Sequence, residues 1–305
     1  MKNKKKIPKY MQDRVRTGTL FLVPATIMVF LMMLIPQLFV VALSFVKWNG
    51  SRSQSMKFVG LQNYLKLGHM QGVPDMVKFT FIFAISVTLL TVLISMLVAF
   101  ALDKPVGHKG VNRSFLRSCW YIPTLIGSVA IGIIWRIMYN YHSGLFNALL
   151  GVFGIAPVNW LEDYGVSALG VIIAQVWVNL GVNIVVFLAG LQSVPVDLYE
   201  SATIDGASNL QQRLHITIPM IMPTITVALI TTSIGAFKAY ELPYTITKGM
   251  PGYSTRMVSQ MIQEYSISGL QYGPGAALSV LLTVLILVIQ LIQLFALRKK
   301  EESYE

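Results

Sequence analysis

Three amide side chains recur at every fourth position within one apolar run of the sequence: Gln175, Asn179 and Asn183. Because residues four apart share one face of a helix, this spacing predicts a stripe of amides. Amide groups donate and accept hydrogen bonds, so the stripe could bind the hydroxyl groups of a sugar. Any one of these amides also fits a hydrogen bond between two membrane helices. Together, the three make this face the candidate lining of a substrate pathway.

A second polar cluster closes the next apolar run, where Lys238, Tyr240 and Glu241 follow a series of Thr and Ser residues. Ionisable side chains at membrane depth are functional candidates. Lys238 and Glu241, however, lie near the end of the run, where a pair of side chains reaching toward water explains them. Tyr240 fits either an interfacial anchor or a pathway residue, and we add it to the candidate pathway residues.

The most polar interruption of the apolar sequence covers residues 193–219. Asp197 and, three residues later, Glu200 have the spacing of a helix N-terminal cap, in which a carboxylate binds free amide groups. Gly206 then supplies the left-handed backbone conformation that ends such a helix without strain. The pattern predicts a short helix that stops at a glycine hinge.

A second short helix is predicted directly after the hinge. Ser208 and Gln211 repeat the capping spacing, and Pro219 suits the boundary between this helix and the next apolar run. Two short helices joined in this way would form a compact helix-turn-helix at a membrane surface, which is the shape of a docking element. Glu200 and Asp205 also fit a simpler explanation, as helix-end residues on a solvated loop.

The sequence offers no catalytic or metal-binding pattern. It contains neither HExxH nor a phosphate-binding loop of the form G-x-x-x-x-G-K-[ST], and no nucleophile elbow or paired carboxylates. The lone Cys119 excludes an internal disulfide and a cysteine-rich metal site. We therefore predict no catalytic residue, no metal and no cofactor in this chain. If this protein carries out a process that consumes energy, the energy would come from another subunit or from an ion gradient.

The composition indicates an integral membrane protein, because 54% of the residues are hydrophobic, only 12% are charged and the mean hydropathy is +0.63. A helix that crosses a bilayer needs roughly 20 apolar residues. Stretches of this kind predict an all-α fold with six transmembrane helices, at Leu20–Phe45, Phe79–Leu102, Phe115–Tyr139, Val166–Leu191, Met220–Tyr240 and Ala276–Leu297. Glycines within these stretches are expected to let helices pack closely, with flexibility for gating as a secondary role: Gly127, Gly132, Gly181 and Gly235.

The positions of Lys and Arg predict the orientation in the membrane. They collect in a basic tail (1–18), between the second and third stretches, and in the C-terminal tail (299–305), so these segments face the cytoplasm and residues 19–298 form one six-span domain. The first outside connection is an exception, with Lys47, Arg52, Lys57, Lys66 and Lys78. The net charge of +11 is mostly this topology signal and an attraction to anionic membrane lipid. No aromatic-interleaved basic surface points to nucleic acid.

The polar loop carries a recognisable motif, Glu200-Ser201-Ala202-x-x-Asp205-Gly206-Ala207 followed by Ile216-x-Ile218-Pro219. It resembles the EAA loop of binding-protein-dependent ABC transporter permeases. Further motifs resemble the carbohydrate-uptake branch of this family across nearly the whole chain: FVGLQNY at 58–64, IIWR at 133–136, AGLQSVP at 189–195, TKGMP at 247–251 and YGPGAA at 272–277. Departures from the family pattern are modest, and they are Ser201 for an alanine, Met250 for a glycine and Pro274 for an alanine.

The resemblance implies the fold of a type I ABC importer permease, in which this loop forms the coupling helix that inserts into a groove of an ATPase subunit. Glu200 would offer a carboxylate to a basic groove residue, Asp205 would stabilise the hinge, Gly206 would permit the bend, and Ala207 would permit close approach. The implied coupling site, in the loop at 193–219, consists of Glu200, Ser201, Ala202, Asp205, Gly206, Ala207 and Pro219.

The resemblance also implies the partners and the function. The partners would be a second homologous permease subunit, two cytoplasmic ATPase subunits that hold ATP and Mg²⁺, and an extracytoplasmic sugar-binding protein. The chain would be a non-enzymatic subunit of an ATP-driven importer for a sugar or oligosaccharide, in the bacterial inner membrane with both termini cytoplasmic. One alternative is an importer for a polyol or glycerol phosphate. Another is an ion-coupled secondary transporter, which needs intramembrane acids that these stretches almost lack.

Overall fold

The computed structural model describes residues 9–51, 55–68, 70–103 and 113–301. This part of the chain is mostly helical, and the predicted all-α membrane fold is confirmed. Residues 1–8 and 302–305 of the predicted tails, and Lys104 and Lys109 of the predicted basic connection, lie outside the described residues. The chain divides into two compact units, the first within Met1–Gly68 and Glu264–Val280 and the second within His69–Gln263 and Leu281–Glu305.

Helices make up most of the secondary structure. In chain order, the α-helices are α1 (Lys9–Val29), α2 (Ile35–Ser44), α3 (Gln62–Leu67), α4 (Val73–Leu102), α5 (Arg113–Leu125), α6 (Ser128–Met138), α7 (Leu145–Val152), α8 (Val166–Gln192), α9 (Val196–Ile204), α10 (Asn209–Gln212), α11 (Ile218–Met220), α12 (Met222–Lys238), α13 (Glu241–Thr247), α14 (Val258–Gln263) and α15 (Tyr272–Glu301). Short π-helical turns lie at Phe30–Leu34, Arg213–Thr217 and Glu264–Ser268, and two strands are β1 (Val46–Lys47) and β2 (Lys57–Phe58).

The first unit is built on a long helical segment in which α1 passes through a π-helical turn into α2. Pro36 lies in the first turn of α2. Because proline has no amide hydrogen, it cannot donate the hydrogen bond that an α-helix would send back one turn, which accounts for the wider turn before it. Residues Thr17–Ser44 are long and apolar enough to cross a membrane, close to the predicted Leu20–Phe45.

An antiparallel pair of strands, which the all-α prediction did not include, follows this segment, with Val46 opposite Phe58. Asn63 of α3 fastens the pair to α2, because its Nδ2 donates to the carbonyl oxygens of Ser44 at 2.8 Å and Val46 at 3.0 Å. In the same unit, a Cβ on Gly273 of α15 would collide with the carbonyl oxygen of Val46. The FVGLQNY and YGPGAA motifs therefore lie next to each other in this unit.

The second unit has its core where α4 packs against α8 and α12. The side chains of Phe83 and Val87 on α4, and of Val171 and Phe187 on α8, are fully buried there. Close approach is confirmed at two of the predicted glycines. A Cβ at Gly181 would meet the backbone of α5, and one at Gly132 would meet Thr245 of α13.

At the other two predicted glycines, Gly127 and Gly235, the prediction of close packing is wrong. A Cβ at either position would have no atom within 4 Å. Gly235 lines a cavity instead. Gly127 is the extended residue between α5 and α6, with φ −59° and ψ 139°.

The described residues contain four uninterrupted helices that could cross a membrane, and two bent pairs that raise the number to six if each pair is one span. The predicted third stretch is one of the bent pairs, because α5 and α6 meet at 99°. Pro123 lies inside the end of α5 and Gly127 interrupts the helix, so the hydrogen-bond ladder ends there. The predicted fifth stretch corresponds to α12, which begins at Met222 and ends at Lys238 and meets the preceding helical segment, Asn209–Met220, at 65°.

Candidate functional sites

A cavity of about 600 Å³ lies between α8 and α12, next to the turn that leads into α13. All of the predicted pathway residues line it: Gln175, Asn179, Asn183 and Tyr240. Other polar residues of the lining are Thr124, Ser128, Thr231, Thr232, Lys238 and Glu241. The structure thus brings together two polar groups that lie far apart in the sequence, and their role in a substrate pathway stays a prediction.

The amide stripe forms one wall of this cavity. Nε2 of Gln175 donates to Oδ1 of Asn179 at 3.2 Å, and Nδ2 of Asn183 donates to the backbone oxygen of Asn179 at 3.0 Å. Oδ1 of Asn183 accepts from Thr232 of α12 at 3.1 Å, and the Asn183 side chain is buried. Asn183 therefore links α8 to α12, whereas Gln175 and Asn179 are only half-buried. The interpretation as a hydrogen bond between helices holds for Asn183, and the pathway role of Gln175 and Asn179 stays a prediction.

Lys238 and Glu241 are both exposed, as expected of side chains that reach toward water. Both line the cavity, because α12 ends after Lys238 and the extended residue Ala239 turns the chain before α13 begins at Glu241. Tyr240, between them, stacks on Tyr244 with the ring centres 5.4 Å apart. The cavity therefore has one cationic and one anionic group in its wall. The sequence signal for both residues was their charge at the end of an apolar run.

The loop after α8 consists of two helical arms around Gly206, as predicted. Gly206 has φ +80°, in the left-handed region, and a Cβ there would meet no atom within 4 Å, so the backbone conformation rather than space requires glycine. The predicted capping box is confirmed, since the backbone N–H of Ser208 donates to Oε1 of Gln211 at 2.8 Å and the Gln211 N–H donates to Oγ of Ser208.

The predicted cap at Asp197 is wrong. The N-cap of α9 is Pro195, which makes no side-chain capping bond, and Asp197 lies in the first turn instead. Pro195 itself accounts for the shift, because its fixed φ and missing N–H suit the start of a helix. An acidic side chain in the first turn still favours the positive end of the helix.

Side-chain hydrogen bonds fasten the two arms to each other. The hydroxyl groups of Tyr199 in α9 and Thr217 in the π-helical turn lie 2.8 Å apart. Nε2 of Gln212 donates to Oγ1 of Thr203 at 3.0 Å and to the backbone oxygen of Ala207 at 3.2 Å. The loop is therefore a cross-linked element rather than two independent helices. Sequence spacing did not reveal these contacts, which span up to eighteen residues.

The surface of the loop combines acidic and apolar side chains. Glu200, Ser201, Asp205 and Gly206 are exposed, while Ala202, Ala207 and Pro219 are half-buried. Large apolar side chains are also exposed here, at Val196, Ile204, Leu210 and Leu214. An exposed apolar surface beside acidic groups is typical of a protein-binding site.

Arg213 fastens the loop to α4. Its Nη2 donates to the carbonyl oxygen of Phe100 at 3.4 Å, and its guanidinium carbon lies 5.3 Å from the centre of the Phe100 ring. Phe100 is in the last turn of α4, where a cation is favoured by the negative end of the helix. Because α4 packs on α8 and α12, the loop is joined through Arg213 to the helices that form the cavity wall.

A bundle of membrane helices with a polar cavity and an exposed helical loop defines a membrane transport component. The chain belongs to the family of binding-protein-dependent transport system inner membrane components, whose model matches residues 106–301. The chain is 37% identical to the trehalose/maltose transport system permease protein MalF of Thermococcus litoralis, over 78% of this chain and 79% of that one. It is 30% identical to the probable starch degradation products transport system permease protein AmyD of Thermoanaerobacterium thermosulfurigenes, over 92% of this chain and 94% of that one.

A solved structure supports the fold. A chain of a bacterial ABC transporter involved in the import of the acidic polysaccharide alginate matches with a TM-score of 0.79 and 22% identity, covering 96% of this chain and 99% of that one. This likeness confirms the ABC importer permease fold that the loop motif implied. Among the described residues, no group of three or more His, Cys, Asp or Glu side chains could hold a metal ion.

Proposed function

We propose that this chain is a permease subunit of an ATP-driven importer for a sugar or oligosaccharide. The observation that carries the proposal is the connection between the two sites. α8 contributes the amide wall of the cavity, and the same helix leads directly into the cross-linked loop. The names of the relatives, which include permeases for trehalose and maltose and for arabinooligosaccharides, support a saccharide substrate.

The loop between Val196 and Met220 is the docking element for a cytoplasmic ATPase subunit. Its exposed carboxylates, Glu200 and Asp205, face basic groups of the ATPase, and its exposed apolar side chains enter a groove. Closure of the ATPase subunits around ATP and Mg²⁺ moves the loop. The cross-links make the loop move as one body, and Arg213 carries this movement to α4. The cavity then opens alternately to the two membrane faces.

The remaining partners follow from this scheme. A second, homologous permease subunit completes the pathway, and an extracytoplasmic binding protein delivers the substrate. A docking loop in the cytoplasm places both termini there if all six spans cross, in agreement with the Lys and Arg distribution.

The chemistry of the cavity favours a neutral hydroxyl-rich substrate. Gln175 and Asn179 are half-buried amides that exchange hydrogen bonds with hydroxyl groups, and Tyr240 offers an aromatic face and a hydroxyl. Lys238 and Glu241 contribute opposite charges, so the wall does not select a net charge. A saccharide meets these features over a larger contact area than a small polyol.

The test is reconstitution of the chain with its partner permease, ATPase and binding protein in lipid vesicles. We expect uptake of a neutral oligosaccharide that requires both ATP and the loaded binding protein. A panel with a polyol and with glycerol phosphate distinguishes the alternative substrates. Uptake that follows an ion gradient without nucleotide would refute the proposal.

A further inference from the structure

The segment between α6 and α8 contains a short helix, α7, whose polar side chain points inward. Asn147 is buried, and its Nδ2 donates to the carbonyl oxygens of Tyr141 at 3.0 Å and Val158 at 2.9 Å. Its Oδ1 accepts from the backbone N–H of Val158 and from Nε1 of Trp160, both at 3.0 Å. One amide thus links the chain before α7, at Tyr141, to the chain after it, at Val158 and Trp160.

Aromatic packing fixes the same side of α7. The ring of Phe146 stacks on Tyr139 with the centres 5.0 Å apart and on Trp135 at 5.5 Å. Trp160 stacks on Tyr139 at 5.4 Å. The inner face of α7 is therefore packed against the protein, and these contacts fix the orientation of the helix.

The outer face of α7 is apolar and exposed. The exposed fractions are 51% for Leu145, 50% for Leu149, 79% for Val152, 77% for Phe153 and 52% for Ile155. The eleven residues from Ala148 to Val158 include no polar side chain, and residues 137–161 include no Lys, Arg, Asp or Glu. A helix that faces water carries polar side chains on its outer face, and α7 carries none there.

Backbone hydrogen bonds close the end of α7. After α7, the N–H of Ile155 donates to the carbonyl oxygen of Leu150 and that of Gly154 to Gly151, both at 3.0 Å. Gly154 has φ +70°, so the helix ends in a closed glycine turn. A segment that contacts lipid needs this closure, because hydrocarbon offers no partner to a free amide or carbonyl group.

We propose that the outer face of α7 and the turn after it, residues 145–155, lies in the membrane interface at the end of α8 opposite the coupling loop. The apolar surface continues that of the preceding membrane helix, where Ile133, Ile134 and Ile137 are exposed. Exposed tyrosines flank it at Tyr141 and Tyr164, as in the aromatic belt of membrane proteins. The surface also lacks the charged and polar rim that surrounds the apolar centre of a typical protein interface, since residues 137–161 include no Lys, Arg, Asp or Glu.

The partner is therefore the lipid of the membrane itself. α7 rests with its apolar outer face on the headgroup and acyl boundary, and Asn147 and the aromatic stack hold it in that orientation. This inference depends on the chain being embedded in a membrane and is independent of the substrate. Failure of the sugar-import proposal would leave it intact.

Spin-label accessibility tests the placement. In a C119S background, single cysteines replace Leu149, Val152 and Phe153, with H142C as the matched exposed polar control. Each variant is labelled with a nitroxide and measured in lipid vesicles, both as the assembled transporter and as the permease alone. The measured quantity is relaxation of the nitroxide by collision with a reagent. Collisions with oxygen, which is enriched in lipid, report a lipid environment, and collisions with a water-soluble nickel chelate report an aqueous one.

We expect oxygen to relax the labels at 149, 152 and 153 more strongly than the nickel chelate in both preparations, and the reverse at 142. Nickel accessibility at the three positions equal to that at 142 would overturn the proposal in favour of an aqueous surface. Protection from both reagents in the assembled transporter, together with access in the permease alone, would overturn it in favour of a protein partner.

Discussion

Gly206 is the position where one small change should weaken docking of the ATPase in a graded way. Its φ of +80° lies in the left-handed region, and its N–H donates to the carbonyl oxygen of Thr203 at 3.1 Å. We consider G206N, G206A and G206P. Asparagine tolerates the left-handed conformation, alanine adopts it at a cost, and proline fixes φ near −65° and removes the N–H.

The magnitude follows from the surroundings of this residue. A Cβ at Gly206 meets nothing within 4 Å, so alanine adds backbone strain and no collision. That strain is about 1–2 kcal/mol. A cost of this size lowers the population of the docking conformation, and with it the apparent affinity for the ATPase, by roughly 5- to 30-fold. G206N should stay close to the original affinity, and G206P should lose measurable binding.

The assay is the affinity of the purified permease complex for the ATPase subunit, with G154A as the control. Gly154 also has a positive φ, +70°, and an open environment, so G154A carries the same backbone strain away from the loop. We expect G154A to bind the ATPase normally. Equal affinities for G206P and the original protein, or an equal loss in G154A, would refute the hinge as the cause.

Further predictions concern the contacts between helices. R213A removes the contact with Phe100, so we expect ATP hydrolysis to continue while the amount of sugar transported per ATP hydrolysed falls. An unchanged amount of sugar per ATP would contradict the link between the loop and α4. N179L removes a half-buried amide of the cavity wall and should raise the KM of uptake at unchanged ATPase affinity, which transport kinetics would show. G190V should lower the midpoint of thermal unfolding by several degrees, which corresponds to about 1–3 kcal/mol of overpacking. The reason is that even a Cβ at this position would lie 2.5 Å from Oγ1 of Thr224. T224A, added to G190V, should restore part of the lost stability.

Local features of the chain were predictable from local sequence. The capping box of Ser208 and Gln211 and the left-handed Gly206 were both predicted, because each depends on a few adjacent residues. The shared helix face of Gln175 and Asn179 followed from helical periodicity alone. The exception was the cap at Asp197, where a proline earlier in the chain begins the helix.

Contacts between distant residues were not predictable from a single sequence. Arg213 and Phe100 are 113 residues apart, and neither residue type signals the other. The position of Lys238 and Glu241 at the cavity depends on how the chain turns at Ala239. The 99° bend between α5 and α6 is set by the extended conformation of Gly127, a residue that fits a straight helix almost as well.

The sequence by itself determined that this chain is a helical membrane protein with a polar helix-turn-helix loop after α8, because hydrocarbon requires long apolar helices and capping is local chemistry. Only the tertiary structure decided which polar groups share a cavity, which helix the loop is fastened to, and how sharply α5 and α6 bend. These outcomes depend on packing between elements far apart in the chain, and that packing leaves no regular spacing in the sequence.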